Sequence, residues 1–259
     1  MKVNILGSGT STGVPVIGCD CAVCTGYAPK NQRTRASIAL EQDGDVILID
    51  TAPEMRIQVL RAGIKKLKAV FYTHMHADHV HGFDDLRAFY FKSREPLDIY
   101  LLPEMIPELR DRFRYAFENT GYNGAIPQVR LHAISSSQFR VGNFDVETVR
   151  LPHGHVETCG FRFGNFAYAT DFKTFPEQCV RSWQNKIDVM IASGIHFGHH
   201  STHSCIPETI ELFRSLGVKR GIISHLAHEV DYDRHNLLLP PGIELAFDGM
   251  TIDLKPTVS

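Results

Sequence analysis

Short apolar runs bounded by Gly, Asp and Asn recur along this chain far more often than amphipathic helical patterns do. Runs rich in Val, Ile, Phe and Tyr predict strands at 3–6, 37–40, 45–50, 69–74, 98–102, 144–151, 159–171, 188–193 and 220–225. Apolar residues returning every three or four positions predict helices over 54–62, 104–118, 176–183 and 207–216. Leu109, Phe113 and Phe117 form the expected buried stripe of the second helix.

A doubly wound parallel sheet needs a crossover helix after almost every strand, and this pattern has too few helices. The expected class is therefore α+β, with two packed sheets flanked by helices. No repeat, low-complexity tract or linker interrupts the chain, so 1–259 is read as one domain. Its 259 residues, 43% of them apolar, suffice for a substantial core.

Lys+Arg 27 against Asp+Glu 29 leaves a net charge of -2, with no global attraction to nucleic acid or an anionic membrane. Phosphate recognition, if present, must be local. No run approaches the roughly 18 apolar residues of a membrane span, and the opening MKVNILGSGT reads as a first strand rather than a signal peptide. A cytoplasmic protein without a membrane partner is expected.

Cys19, Cys21 and Cys24 lie together while Cys159, Cys179 and Cys205 are scattered. Without a signal peptide, the tight cluster points to metal rather than to disulfides, and the scattered three read as small buried hydrophobes. The strongest chemical signal is Thr73-His74-Met75-His76-Ala77-Asp78-His79, directly after an apolar strand. His74 and His76 are neutral nitrogen donors suited to Zn, Mn or Fe, and Asp78 and His79 can turn toward a second cation. Further candidates stand where strands end: His153, Asp171 and His225. The two oxygens of a carboxylate at Asp171 suit a bridging role.

These residues resemble the metallo-β-lactamase superfamily, with THMHADH as its HxHxDH signature and DVILIDTA as the strand carrying its structural Asp, here Asp50. The resemblance implies an αββα sandwich. It implies one cation on His74, His76 and His153, another on Asp78, His79 and His225, and Asp171 between them. His153 is preferred to His155 because it follows the strand and Pro152 directly and matches the family spacing to Gly160. LGSGTSTGVPVIGCDCAVC, LPHGHVETCGFRFG and LPPGIELAFDGM are similar to the PhnP-like cyclic phosphodiesterases, relatives of ribonuclease Z. That likeness implies a structural zinc on Cys19, Cys21, Cys24 and His228, a closed set that stabilises rather than reacts.

The segment 196–203 holds more His than a metal cage uses. An alkoxide leaves poorly until protonated, so a His titrating near neutrality suits the general acid. His203 matches the PhnP-like placement, His200 is its rival, and His196 and His199 read as solvated loop residues. Asp78 counts as catalytic through the metal it holds. Gly7-Ser8-Gly9-Thr10 lacks the Lys of a P-loop, leaving two readings: tight-turn glycine, or N–H groups lining the metal site.

The expected function is hydrolysis of small phosphodiesters, cyclic ribose or nucleotide phosphates first, by a hydroxide held between two divalent cations, Mn²⁺ or Zn²⁺. Alternatives are a tRNA 3′-endonuclease, a thioester or lactam hydrolase, and a metal-stabilised binding protein without turnover. Nucleic acid is a disfavoured partner, because the chain shows no protruding Gly/Lys-rich arm and no basic excess. Besides a small phosphodiester substrate, a second copy of the chain, as a homodimer, is the candidate partner.

Overall fold

The computed structural model describes residues 1–118 and 124–254. One sheet takes its strands almost in chain order: β1 (Lys2–Gly7), β2 (Ser37–Gln42), β3 (Asp45–Ile49), β4 (Ala69–Phe71), β5 (Leu97–Leu101) and β6 (Val129–Ala133). The other follows with β7 (Gln138–Val141), β8 (Phe144–His153), β9 (Val156–Phe163), β10 (Phe166–Ala169), β11 (Val189–Ser193), β12 (Arg220–Ser224) and β13 (Ile243–Leu245). A last strand, β14 (Thr251–Asp253), returns to the first sheet and pairs with β1.

Each sheet is antiparallel at the start and parallel at the end. β1 to β3 and β7 to β10 pair antiparallel, whereas β3 to β6 and β10 to β13 pair parallel. The antiparallel pairs close through short turns. Asp43 and Gly44 between β2 and β3, both at positive φ (49° and 82°), have the twist that a two-residue hairpin needs. Parallel neighbours require crossovers, and the helices Met55–Arg61, Arg87–Ser93, Met105–Arg112, Glu177–Trp183, Ile206–Leu216 and Tyr232–Asn236 lie in those connections.

Phe71 at the end of β4 ties the sheets together. Its ring meets Phe161 edge-on at 5.4 Å and Phe163 at 6.2 Å across the interface, and stacks on Tyr100 at 5.1 Å. Val3, Ile38, Ile99, Tyr168 and Ile191 fill the same inter-sheet layer. Trp183, Ile187, Met190, Phe213 and Leu216 form a second layer under the outer helices of the second sheet. Among the described residues no helix is long and apolar enough to cross a membrane.

Two expectations need correction. The helix read over 104–118 is broken at Phe113 (φ -117°, ψ 40°) into Met105–Arg112 and Arg114–Phe117. Phe113 stacks on Phe83 at 4.4 Å and Phe117 reaches the same ring at 5.9 Å, so aromatic anchoring outweighs helix continuity there. Four strands were not anticipated, β6, β7, β13 and β14, and they are the four sheet edges.

The topology brings one set of strand ends together. Asp50 follows β3, Thr73–His79 follows β4, His153 ends β8, Asp171 follows β10 and His225 follows β12. These are carboxyl ends, where open α/β sheets leave room for ligands. Asp50, Asp171 and His225 turn there with φ of 65°, 50° and 58°, which costs an L residue roughly 1–2 kcal/mol in a regular position.

Phe71→Ala is expected to lower unfolding stability by about 3–5 kcal/mol in denaturant titration, since it empties the inter-sheet layer. Ile57→Ala, 58% exposed, is expected to stay within about 0.5 kcal/mol.

Candidate metal centre and active site

Short second contacts orient the histidines at this edge. His79 Nδ1 lies 2.7 Å from Asp50 Oδ2, while Asp50 also accepts from the Thr73 N–H and hydroxyl at 2.8 Å each. His153 Nδ1 donates to the Thr202 carbonyl at 3.0 Å, and His74 Nδ1 lies 3.0 Å from Thr73 Oγ1. With Nδ1 engaged in each ring, Nε2 remains as the ligand atom.

The seven candidates converge. His74, His76 and His153 offer nitrogens within 4.8 Å of one another, and so do the ligand atoms of Asp78, His79 and His225. Asp171 reaches both sets: its carboxylate lies within 4.8 Å of ligand nitrogens of His74 and His153 in the first, and in the second Oδ2 lies 2.9 Å from His79 Nε2 and Oδ1 3.2 Å from His225 Nε2. A carboxylate with two oxygens and ligands of both sets within reach suits a bridging role. His76 is exposed, so the cage opens to solvent on its side.

The electrostatics agree with a cation-binding donor set. Burial, with His79 nearby, holds His74 well below the ordinary His range, so it is a neutral donor. Burial alone would raise Asp171, yet His225 and His79 hold it well below the usual carboxylate range; Asp78 is lowered against its own burial by His79 and His225. Buried His79 is driven up instead by Asp78, Asp171 and Asp50. Meanwhile His74 Nε2, His79 Nε2 and both ring nitrogens of His225 are buried without a well-formed hydrogen bond. Each such orphan costs about 1–3 kcal/mol, and divalent cations that favour nitrogen and oxygen would satisfy the three Nε2 atoms.

A second cluster lies apart from the cage. The sulfurs of Cys19, Cys21 and Cys24 stand 3.3, 3.4 and 3.6 Å from His228 Nδ1. Tetrahedral Zn–S and Zn–N bonds put sulfur and nitrogen about 3.5 Å apart, so the four donors fit a closed zinc site. The Cys24 N–H, then His228, pull the Cys21 thiol down to about 6, while burial pushes Cys24 up to about 11.

The chain matches the β-lactamase superfamily domain over residues 46–226, which includes every cage residue. It belongs to that superfamily, on the metallo-β-lactamase side. Its structure is similar to a diphosphatase of the PhnP family, with a TM-score of 0.91, 34% identity and 98% of both chains covered. In sequence it is similar to an octanoyltransferase from Porphyromonas gingivalis, 35% identical over 257 residues, 96% of this chain and 51% of that protein. It is also similar to a ribonuclease Z from Pyrococcus horikoshii, 30% identical over 152 residues, 54% of this chain and 48% of that protein. These two alignments span about half the length of either relative.

Within this metallo-β-lactamase frame the two rival histidines differ in place. His203 stacks on His225 (5.1 Å, 18°), meets the His153 ring at 4.7 Å, and holds Nδ1 3.0 Å from Asp171 Oδ1, with 16% of its side chain exposed. His200 sits behind it at 4.8 Å, its Nδ1 accepting from the N–H groups of Thr202 and His203. His196 lies 5.9 Å from His200, and His199 is exposed. His155 is exposed and outside the cage, on the wall of a cleft of about 340 Å³ beside His74 and His76.

The N–H reading of the glycine segment is corrected. Ser8 N–H goes to Asp248, Gly9 N–H to the Thr34 carbonyl and Thr10 N–H to the Leu226 carbonyl, so none of the three is available to the metal site. A Cβ on Gly7 would meet the Arg35 carbonyl at 2.0 Å, so close backbone approach requires glycine there.

Several supporting residues were not singled out in the sequence, although Asp248 lies within LPPGIELAFDGM. Asp248 accepts from the N–H and hydroxyl of both Ser8 and Thr34. Buried Arg33 donates to the carbonyls of Ala227 and Val230, which flank His228. Lys173 bonds Glu208, which accepts from the Cys205 N–H and so holds the loop carrying His203. The contacts of Asp248, Arg33 and Lys173 pair residues far apart in the chain.

Purified protein is expected to keep one zinc through brief chelation while the cage metals leave, by elemental analysis. Cys21→Ser should lose that zinc and melt roughly 10 °C lower. Asp171→Asn should keep it and lose cage metal. Full cage occupancy in Asp171→Asn would remove the bridging assignment.

Proposed function

We propose that the chain is a metal-dependent hydrolase of small phosphodiesters, with cyclic ribose or nucleotide phosphates as the favoured substrates. One observation carries it: Asp171 lies within reach of His74 and His153 of one set and of His79 and His225 of the other, and His203, its Nδ1 3.0 Å from the same carboxylate, stands partly exposed at the mouth. The similarity to a PhnP-family diphosphatase supports the reading.

His74, His76 and His153 would hold one Mn²⁺ or Zn²⁺, Asp78, His79 and His225 the other, with Asp171 between. Such cations, when bound, supply a water of low pKa and neutralise charge on phosphoryl oxygens. Asp50 keeps His79 in the tautomer that presents Nε2. Asp78 and Asp171 serve as ligands and are not general bases. His203 places Nδ1 3.0 Å from Asp171 Oδ1, leaving Nε2 to hand a proton to the departing oxygen. His200, committed to the backbone of its own loop, is the weaker candidate for that role.

The cleft wall beside the cage argues for a small substrate. It carries Glu104, Glu108 and Glu157, with Arg150 against Glu157 at 2.8 Å and Arg112 against Glu108 at 2.7 Å. Such a wall leaves no spare cation to release counterions from a polynucleotide. The ribonuclease Z relative keeps a tRNA-processing reading in the test. A panel of 2′,3′-cyclic nucleotides, ribosyl 1,2-cyclic phosphate, linear diesters, dinucleoside diphosphates and tRNA precursor, each with Mn²⁺ and with Zn²⁺, separates these. Turnover of tRNA precursor alone would replace the reading, and no chelator-sensitive turnover of any would remove it.

His203→Ala should retain cage metal yet lower kcat by about 10²–10⁴ on a sugar-alkoxide leaving group. The loss should shrink sharply on bis(p-nitrophenyl) phosphate, whose phenolate leaves unaided. Equal losses on both substrates, or a larger differential in His200→Ala, would overturn the assignment.

A further inference from the structure

The opposite edge of the first sheet holds a cleft of about 570 Å³ where β4 and β5 begin. Lys65, Lys66, Lys68, Lys92 and Arg130 line it, against the carboxylates of Glu95 and Asp98. Five cations against two anions give a local charge of +3, in a chain whose total is -2. Asp98 is already engaged: Arg130 Nε lies 2.7 Å and His132 Nε2 2.8 Å from its Oδ1. None of the four lysines has an ion-pair partner among the described residues. The N–H groups of Lys65, Lys66 and Leu67 likewise make no hydrogen bond there.

A purely solvated lysine run needs no cavity and no apolar wall, and this cleft has both. Leu67, Phe89 and Pro96 stand half-buried beside the cations and Leu97 is buried. The volume falls in the range of small-ligand pockets, about 300–1,000 Å³. Cations gathered around one cavity, rather than spread along a stripe, suit several phosphates on one molecule better than a long backbone. Lys68 and His74 are six residues apart on extended chain, a span of up to about 20 Å, so this cleft and the cage occupy opposite ends of β4.

We propose that this cleft binds a nucleoside di- or triphosphate, its phosphates on the lysines and its ring against Phe89 and Leu67. The site is separate from the cage, so it stands whatever the cage hydrolyses.

Adenylyl imidodiphosphate, which resists hydrolysis, and inorganic pyrophosphate are titrated into the metal-loaded full chain by calorimetry at about 0.15 M salt. The nucleotide should bind more tightly than pyrophosphate, because only it uses the apolar wall. The Lys66→Glu/Lys92→Glu variant should weaken it by about ten- to a hundredfold with thermal unfolding unchanged, and Asp171→Asn should leave it intact. Unchanged affinity in the lysine variant, or loss in Asp171→Asn instead, would overturn the site. Binding of oligoadenylate that tightens with length, without binding of the mononucleotide, would assign the cleft to a polynucleotide and overturn it equally.

Discussion

Asp171 is the point on which the rest depends. A carboxylate only 1% exposed, with imidazole nitrogens of His79, His203 and His225 at 2.9–3.2 Å, is tolerable only because each of those rings is itself held from behind or stacked. Removing such a charge from water costs several kcal/mol unless it is paired. The surrounding fold can be read as the means of delivering those partners to one spot. Residues from β3, β4, β8, β10 and β12 reach it, so both sheets must be formed and docked before the site exists.

Docking relies on Phe71, two residues before Thr73. The same short strand thus inserts its aromatic ring between the sheets and presents His74 to His79 at its carboxyl end. Packing and chemistry are coupled along that segment. A shift of β4 that loosened Phe71 against Phe161 would also move the Thr73–Asp50–His79 contacts that set the imidazole tautomer.

The cysteine cluster extends this logic beyond the cage. His228 follows His225 by three residues, and Arg33 fastens the carbonyls of Ala227 and Val230 on either side of it. A closed zinc set there would brace the strand end that presents His225, whose φ of 58° is unfavourable without support. The lysine-lined cleft uses the other end of the same parallel strands, where chain entering the sheet leaves room that the cage edge does not share.

Much of this was legible in the chain itself. Central strands announce themselves because both faces are buried, as in β4 and β11, and their apolar runs are continuous. Helix Ile206–Leu216 was placed to within one residue, because its apolar face repeats at helical spacing and Gly217 stops it in the left-handed region. THMHADH named its own chemistry, since side chains that close in sequence must meet at one strand end. The edge strands β6, β7, β13 and β14 were hidden, because an edge has too little burial to write a pattern. So were the break at Phe113 and the roles of Arg33, Asp248, Lys173 and Glu208. Their partners lie tens to hundreds of residues away, and only the tertiary structure brings them into contact, because long-range hydrogen bonds leave no periodic trace along a chain. By itself the sequence determined which side chains can ligate metal; which of His200 and His203 stands over Asp171 was decided by how the loop folds back onto the cage.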